Sequence, residues 1–433
     1  MASETSSAPA LRKLTRSEWG IILVLAAINF THMVDFVIIM PLGARLISEF
    51  QITNSEFGRV VSVYGYAAGI ASLLASFVID RFDRKYFLAF MYTGFTLSTL
   101  FCGLAMSYET LLLSRGLAGV FGGLAAAAMM AIIGDTFPPH LRGRATGAVM
   151  SAFAVASIAG LPIGLQLAEW LGRGAPFVWL AGLCAMVLVA TLYWLPSMTG
   201  HIGEMNRRPL KEFAAVVREP NHLWAFVFTF SLVLGTFTVA SFIGPYLIAV
   251  NGWSEGHLAI IYLVAGFCTL IGMNVIGLMS DRYGKRRVFL VLASLAIVVS
   301  LGITNLPPVH LAVGTLALSL FMVCAAGRMV PAQAMLIGVA APQIRGAFMS
   351  LNTAVQQFAT GLAPEIAGNI MDLGDPKTMN MYWLVGVVAA TSALISLVLS
   401  GYIRPAKTDG VKSSVAESAV RVKANREPAA VGA

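Results

Sequence analysis

Long apolar runs separated by short charged segments dominate the chain from about residue 19 onward. A helix needs about 20 apolar residues to cross the hydrocarbon core of a bilayer, so each run of that length predicts one membrane-spanning helix. Eight such runs contain no Asp, Glu, Lys or Arg: Val60–Ile79, Tyr86–Tyr108, Gly116–Gly134, Ala145–Ala168, Gly174–Gly200, His222–Ser254, Gly256–Ser280 and Thr378–Ile403.

Another apolar stretch, Val288–Gly327, is too long for one crossing and carries Asn305-Leu306-Pro307-Pro308 in its middle. Paired prolines break a helix, so this stretch predicts two spans. With a first span at Trp19–Leu42 and another at Gly346–Ile370, the pattern predicts twelve spans in all.

The predicted fold is an all-α polytopic membrane protein with two six-helix bundles, at 19–197 and 221–403. A polar linker at 198–220 joins the bundles, and tails at 1–18 and 404–433 flank them. The first apolar run continues without a small-residue cleavage pattern, so a retained first helix is expected rather than a signal peptide.

Composition excludes a large soluble catalytic domain. Hydrophobic residues make up 58% of the 433 positions and charged residues only 12%, against about 45–50% and about 25% in soluble domains. The four cysteines have no metal-ligand or redox spacing, so no disulfide framework, metal site or cofactor is expected. No buried Ser/His pair or paired carboxylates are apparent, so catalytic residues and an enzymatic function are not expected.

The basic residues are distributed unevenly along the predicted topology. With both termini in the cytoplasm, 23 of the 29 Lys and Arg fall in inner segments, and the outer segments hold only Arg45, Arg59, Arg173 and Lys377. Cytoplasmic loops carry such an excess, so the termini are predicted to be cytoplasmic. The net charge of +8 therefore indicates topology rather than nucleic-acid binding. Short loops and the lack of targeting segments favour a bacterial inner membrane.

Two motifs recur at nearly the same spacing. Asp80–Lys85 follows the second predicted span and Asp281–Arg286 follows the eighth, 201 residues later; Pro139–Gly143 and Pro342–Gly346 precede the fifth and eleventh spans, 203 residues apart. Such spacing indicates a duplicated six-helix unit. Two parallel six-helix halves with a site at the bilayer midplane are typical of transporters.

The segment Gly277–Arg287 resembles the loop signature of the major facilitator superfamily, and the resemblance extends over essentially the whole chain. In the first copy, Ser76 and Asp83 stand where the pattern has glycines, so a tight turn is less expected there. Asp80 and Asp281 end even-numbered spans on the cytoplasmic side, where they can pair with arginines or with the N-terminus of a neighbouring helix. Such contacts would latch an inner gate in the outward-facing state, and simple inside-positive topology is the alternative. The residues concerned are Asp80, Arg81, Arg84, Asp281, Arg282, Gly284, Lys285 and Arg286.

Other segments are similar to the drug and sugar proton-antiporter branch of that family, the arabinose-efflux-permease-like proteins. They are Arg115–Gly119, the degenerate antiporter motif with Gly160, Pro162 and Gly164, the segment Asp135–Ala145, and Phe237–Leu247. The branch implies export of small organic molecules driven by inward proton flow, with Arg115 in the proton relay. A monomer is the default expectation for this resemblance.

Asp35 is the residue that we expect to carry protons. It lies about 24 Å of helix rise from Trp19, where a charged carboxylate is costly and could bind and release protons. His32 shares its helical face and could share the proton, or could be a hydrogen-bonded packing histidine. Arg115 lies at a similar depth, so Asp35 and Arg115 could also form a permanent structural pair.

Arg328 interrupts the tenth span near mid-depth, and its repeat counterpart is Ala125. It could bind an anionic substrate, form a salt bridge across the halves to Asp35, or pair with backbone carbonyls freed by Pro331. Further polar residues could line a central cavity or act as interhelical contacts. They are Asn29, Tyr64, Asn274, Gln333, Asn352, Gln356 and Gln357. Glu365 and Asp372, near the outer end of the eleventh span, are expected to be solvated.

The sequence thus predicts a secondary transporter in the lipid bilayer, with protons and a small-molecule substrate as its partners. Proton-coupled efflux is the favoured mode. An uptake symporter or facilitator, and a membrane sensor that has lost transport, are the alternatives.

Overall fold

The computed structural model describes residues 15–200, 209–341, 343–375 and 378–406, and every regular element in that part is a helix. A 3-10 turn at Ile79–Arg81 and a π-helical segment at Ala156–Gly160 complete the set. The α-helices are α1 Arg16–Ile38, α2 Gly43–Phe50, α3 Asn54–Val78, α4 Arg84–Leu104, α5 Tyr108–Thr136, α6 Pro139–Met150, α7 Ala152–Val155, α8 Leu161–Leu171, α9 Ala175–Trp194, α10 Pro209–Arg218, α11 Pro220–Ala240, α12 Ile243–Asn251, α13 Glu255–Tyr283, α14 Lys285–Thr304, α15 Leu311–Ile337, α16 Arg345–Met371 and α17 Tyr382–Leu399.

Eleven helical stretches in the described part are long and apolar enough to cross a membrane. The expected span at Gly346–Ile370 is present as α16, which has 27 residues but is not among the eleven, because polar side chains such as Asn352 and Gln356 lower its hydropathy. The predicted break at Pro307 and Pro308 is confirmed, since α14 ends before these prolines and α15 begins after them. The tails at 1–14 and 407–433, the linker residues 201–208, Pro342, Pro376 and the predicted outer residue Lys377 lie outside the described residues.

Short polar segments start many of these helices by satisfying free backbone N–H groups. Thr15 caps α1, Thr53 caps α3 and Ser107 caps α5, each through a reciprocal capping box. Such caps stabilise a helix end by about 1 kcal/mol each, and they determine the residue at which each of these helices begins.

Contacts between loops define two faces of the molecule. The terminal face holds the start of α1, the end of α17 and the segments after α3, α5, α9, α13 and α15. There the amide of Arg84 donates to the carbonyl of Met198 at 3.3 Å. The opposite face holds α2 and the segments after α4, α8, α12, α14 and α16. There Arg173 donates to the carbonyl of Ala105 at 3.0 Å.

The helices form two bundles, α1–α9 and α11–α17, with α10 in the predicted linker. The two most extensive contacts between the bundles are those of α3 with α16 and of α13 with α7, the π-helical segment and α8; α2 also packs against α12. The repeat relates these contacts to each other. The helices α3 and α13 correspond, because each leads into a copy of the Asp-Arg motif. The fifth predicted span, which comprises α6, α7, the π-helical segment and α8, corresponds to α16, because a copy of the Pro-Arg-Gly motif stands at the start of each. The interface therefore has the pseudo-two-fold symmetry that the duplication predicts.

Glycines allow the backbones of α3 and α16 to touch from the middle of α3 to its start at the opposite face. A Cβ added to Gly65 would lie 2.6 Å from the amide nitrogen and 2.8 Å from the Cα of Gly361. A Cβ on Gly368 would lie 2.9 Å from the Cα of Ser55. Small residues permit such close approach between membrane helices, and larger ones would separate the bundles at this face.

The residues of the degenerate antiporter motif hold the fifth span against α1. A Cβ on Gly160 would overlap Val34, and one on Gly164 would lie 2.7 Å from Cδ1 of Ile38. Pro162 lies in the first turn of α8, where it cannot donate to the carbonyl four residues earlier. The helix widens to π-helical geometry over the five residues that precede α8, which accommodates this missing bond.

Candidate functional site

A buried ion pair lies inside the first bundle. Nη1 of Arg115 on α5 donates to one carboxylate oxygen of Asp35 on α1 at 2.8 Å, and both side chains are fully buried. The hydroxyl of Thr99 on α4 donates to the other carboxylate oxygen at 3.1 Å. Buried charges depend on such pairing, so neutralising Asp35 would loosen the connection between three helices.

Tyr64 and His32 extend this pair into a larger group, which we call the charge cluster: Asp35, Thr99, Arg115, Tyr64 and His32. The guanidinium carbon of Arg115 lies 4.5 Å from the centre of the Tyr64 ring, a cation–π distance. The Tyr64 hydroxyl is 2.8 Å from Nε2 of His32. Gly122 makes room for this contact, because a Cβ there would lie 2.8 Å from the same ring nitrogen.

Some donors and acceptors of the charge cluster have no partner among the described residues. They are Nε and Nη2 of Arg115 and Nδ1 of His32, all buried. A cavity of about 10 Å³ lies beside His32, which is near the smallest volume that holds one water molecule. It is lined by Ile28, Asn29, His32, Tyr92, Phe95, Ala125, Ala126 and Met129. His32 thus adjoins a space about the size of one water molecule.

Arg328 on α15 is also buried, with 3% of its surface exposed. Its Nη2 donates to the hydroxyl of Thr236 at 2.6 Å and lies 3.4 Å from the carbonyl oxygen of Leu232, both on α11. Asp35 pairs with Arg115 and not with Arg328, so the alternative of a salt bridge across the halves is wrong for this structure. The carbonyl that Arg328 contacts belongs to α11 rather than to the turn freed by Pro331.

The other predicted cavity residues lie in different environments. Asn352 is buried and accepts a hydrogen bond from Thr229 of α11 at 2.7 Å, and Asn29 donates to the carbonyl of Val149 on α6 at 3.0 Å. Gln333 and Gln356 are half-buried. Asn274 is exposed and donates to the carbonyl four residues earlier in its own helix. The structure therefore brings together Tyr64 and the coupling residues, and Asn29 lines the cavity beside His32. The other four have no hydrogen bond to the charge cluster among the described residues.

The first loop signature is an intra-bundle ion-pair network at the terminal face. Arg84 is buried and donates to Asp80 at 2.7 Å and to Asp135 at 2.9 Å, while Arg81 is exposed. Asp83, which replaces the glycine of the pattern, caps α4 and accepts from Ser197 and from the amide of Met198. Burial raises the pKa of the Asp83 carboxyl, but these hydrogen bonds outweigh it and the pKa lies below its ordinary value.

The second loop signature has a different structure. Gly284 has a φ of +92° between α13 and α14, a conformation that favours glycine. Asp281, Arg282, Lys285 and Arg286 are exposed, and Lys285 lies 3.4 Å from the carbonyl oxygen of Ala334. The loop between the two helices is therefore held by charge pairing in the first copy of the repeat and by a glycine turn in the second.

Carboxylates connect the two bundles at the opposite face, which corrects the expectation that Glu365 and Asp372 are simply solvated. Asp372 accepts from the amides of Asn54 and Ser55 at 2.9 Å each, at the start of α3. Tyr66 donates to Glu365 at 2.7 Å. Another ion pair, Arg45 with Glu255 at 2.7 Å, joins α2 to α13. Sequence reasoning missed these contacts because each partner lies in the other half.

Known proteins resemble this chain in sequence and in fold. A family model for the Major Facilitator Superfamily matches residues 25–364. A probable sugar efflux transporter of Mannheimia succiniciproducens is 25% identical over 291 residues, which cover 66% of this chain and 70% of that protein.

Two solved structures share the fold at low sequence identity. A bacterial homologue of the human lysosomal transporter Spinster, in an inward-facing and unoccupied conformation, has a TM-score of 0.69 at 16% identity and covers 90% of this chain and 98% of that one. A mutant of the nucleoside transporter NupG has a TM-score of 0.72 at 15% identity and covers 89% of this chain and all of that one. Together with the eleven apolar helices and the duplicated bundles, these matches show that the chain belongs to the major facilitator superfamily and is a multi-pass membrane transporter, not an enzyme.

Proposed function

We propose that this protein exports a small organic compound in exchange for protons, with Asp35 as the proton carrier. The observation that carries the proposal is the Asp35–Arg115 pair, a carboxylate and a guanidinium 2.8 Å apart with no exposed surface. Protonation of Asp35 would remove one charge of the pair and weaken its attraction to Arg115. Deprotonation would restore it, so the pair can alternate between two states as the proton arrives and leaves.

The surroundings of the pair support this role. Thr99 holds the second carboxylate oxygen, and Tyr64 links Arg115 to His32 and its small cavity. The efflux function of the relative from Mannheimia is consistent with export, as are the glycines of the fifth span. A purely structural pair would need neither the histidine nor the adjoining space.

Alternating access would occur between bundles at 19–197 and 221–403, with the linker 198–220 between them. We propose that the terminal face is cytoplasmic, in a bacterial inner membrane, and that the protein works as a monomer. In this orientation the contacts of α3 with α16 close the outer side. The loop signatures would latch the inner side when the outer side opens.

The test uses purified protein in liposomes with an acidic interior and a trapped pH-sensitive dye. Sugars, amphipathic drugs and organic acids are added outside, to wild type, Asp35→Asn and the control Asp375→Asn, which changes an exposed carboxylate of the opposite face. We expect one class to trigger proton efflux in wild type and the control but not in Asp35→Asn. Transport by Asp35→Asn with unchanged proton dependence would refute the coupling role, and protons moving with the substrate would indicate symport.

A further inference from the structure

Arg328 is a buried cation whose counter-charge is absent from its surroundings. Within residues 15–200, 209–341, 343–375 and 378–406, no carboxylate forms an ion pair with it, and its partners are the Thr236 hydroxyl and the Leu232 carbonyl. Its Nε and Nη1 have no hydrogen-bond partner among the described residues. An arginine cannot shed its charge in place of pairing, so this arrangement is costly.

The other buried arginine shows what compensation looks like in this protein. Arg115 is fully buried and has Asp35 within 2.8 Å. Among the described acidic residues of the second bundle, Glu255 pairs with Arg45, Glu365 accepts from Tyr66, and Asp372 accepts from the amides of Asn54 and Ser55. Asp281 and Asp375 are exposed. None of these carboxylates is a partner of Arg328 in the described part of the chain.

Arg328 also lies close to the contact between the bundles. Thr236, its hydrogen-bond partner, precedes Phe237, whose ring lies 5.5 Å from that of Phe36 on α1. Phe36 in turn follows Asp35 in the chain. The uncompensated cation and the charge cluster thus flank the same aromatic contact, in the region where transporters of this architecture bind substrate.

We propose that Arg328 binds a carboxylate of the transported compound, so that the substrate class is small organic monoanions, such as sugar acids, rather than neutral sugars. The proposal rests on the transport function proposed above. One uncompensated positive charge matches one carboxylate, whereas a phosphate dianion would leave an excess negative charge in the same site. Hydrogen bonds between guanidinium and carboxylate are among the strongest in proteins, and the substrate would supply the counter-charge that the chain lacks.

The test is thermal unfolding of the purified protein in detergent with matched probes, D-glucuronate against D-glucose and benzoate against benzyl alcohol. We expect at least one carboxylate to raise the Tm of wild type while its neutral analogue does not. Arg328→Met should weaken that binding by about 10-fold or more, and Arg328→Lys should lose less. Arg59→Met, which removes an exposed arginine, should behave as wild type.

The ligand-free proteins provide a second readout. Because Arg328 has no counter-charge, Arg328→Met should unfold at the wild-type temperature or above it, whereas Arg115→Met should unfold below it. Three outcomes would each overturn the proposal. The carboxylates could raise the Tm of Arg328→Met as much as that of wild type, they could raise the Tm of no protein, or ligand-free Arg328→Met could be much less stable than wild type. Binding is measured here without a proton gradient, so its outcome is separate from that of the Asp35→Asn transport assay.

Discussion

Removing one member of the Asp35–Arg115 pair should destabilise the fold more than removing both. Replacing Arg115 alone leaves a buried carboxylate without a counter-charge, which costs about 3–5 kcal/mol, whereas replacing both partners by neutral residues can be nearly neutral. We therefore expect Arg115→Met to lower the free energy of unfolding strongly and the double variant Asp35→Asn with Arg115→Met to recover most of it. Chemical unfolding of the two singles and the double measures this coupling. Equal losses in Arg115→Met and the double variant would contradict it.

The sequence reveals which residues are anomalous but not what they touch. Asp35, Arg115 and Arg328 stand out because a charge inside an apolar run is rare. Thr99 gives no such signal, because a threonine in a membrane helix commonly bonds to its own backbone. Asp372 was misjudged for a related reason: a carboxylate at a helix end is usually solvated, and only the tertiary structure places the start of α3 against it.

Among the elements, α3 and α16 form a contact that depends on the absence of side chains. Gly65→Ala should push the two helices apart, because its Cβ would lie 2.6 Å from a backbone nitrogen, and overpacking costs about 1–3 kcal/mol. We expect the opposite face to open more often. The reporter is Ser62→Cys, a buried position on α3, labelled with a membrane-impermeant thiol reagent in a background that lacks the native cysteines.

The control for this prediction is Gly182→Ala on α9, where an added Cβ meets nothing within 4 Å. Alanine favours a helix over glycine, so this variant should leave labelling unchanged. Equal labelling rates in the Gly65 and Gly182 variants would show that the glycine contact does not hold the face closed.

The Asp372 carboxylate gives the same contact a defined pH dependence. Burial raises the pKa of this carboxyl, but hydrogen bonds from Ser55 and Asn54 outweigh it, so the pKa lies below its ordinary value. The ionised form is therefore favoured in the contact, and protonation weakens it only as the pH falls below about 4. Each labelling rate is divided by that of an exposed cysteine at the same pH, because the reactive thiolate becomes scarcer as the pH falls. This relative rate for Ser62→Cys should not change between pH 8 and pH 5, while Asp372→Asn should raise it about fivefold. A change in labelling within that window that persists in Asp372→Asn would assign the pH dependence to another group.

Helix positions were predictable to the extent that they follow from hydropathy and proline. The break between α14 and α15 is an example, since two adjacent prolines prohibit a continuous helix. The π-helical segment before α8 and the break between α11 and α12 were not predicted, because the apolar pattern runs through both without interruption.

At the scale of the whole molecule, duplication has preserved the arrangement of helices but not the chemistry at their ends. Arg84 is buried between two carboxylates, whereas Lys285, its counterpart 201 residues later, is exposed. We expect Arg84→Gln to lower the free energy of unfolding by about 1–3 kcal/mol and Lys285→Gln to change it by less than about 0.5 kcal/mol. Thermal or chemical unfolding distinguishes them, and similar losses would show that the second signature is equally constrained.

The uncompensated charge of Arg328 has a consequence for the energy source of transport. If one carboxylate leaves the cell for each proton that enters, both movements carry charge in the same electrical direction, and each cycle transfers two elementary charges. Each charge is worth about 2.3 kcal/mol per 100 mV of membrane potential. Voltage would then contribute twice as much as it does to the exchange of a neutral sugar for one proton. With equal pH on both sides, a potassium diffusion potential that makes the liposome interior negative should accelerate export of the anion in exchange for protons.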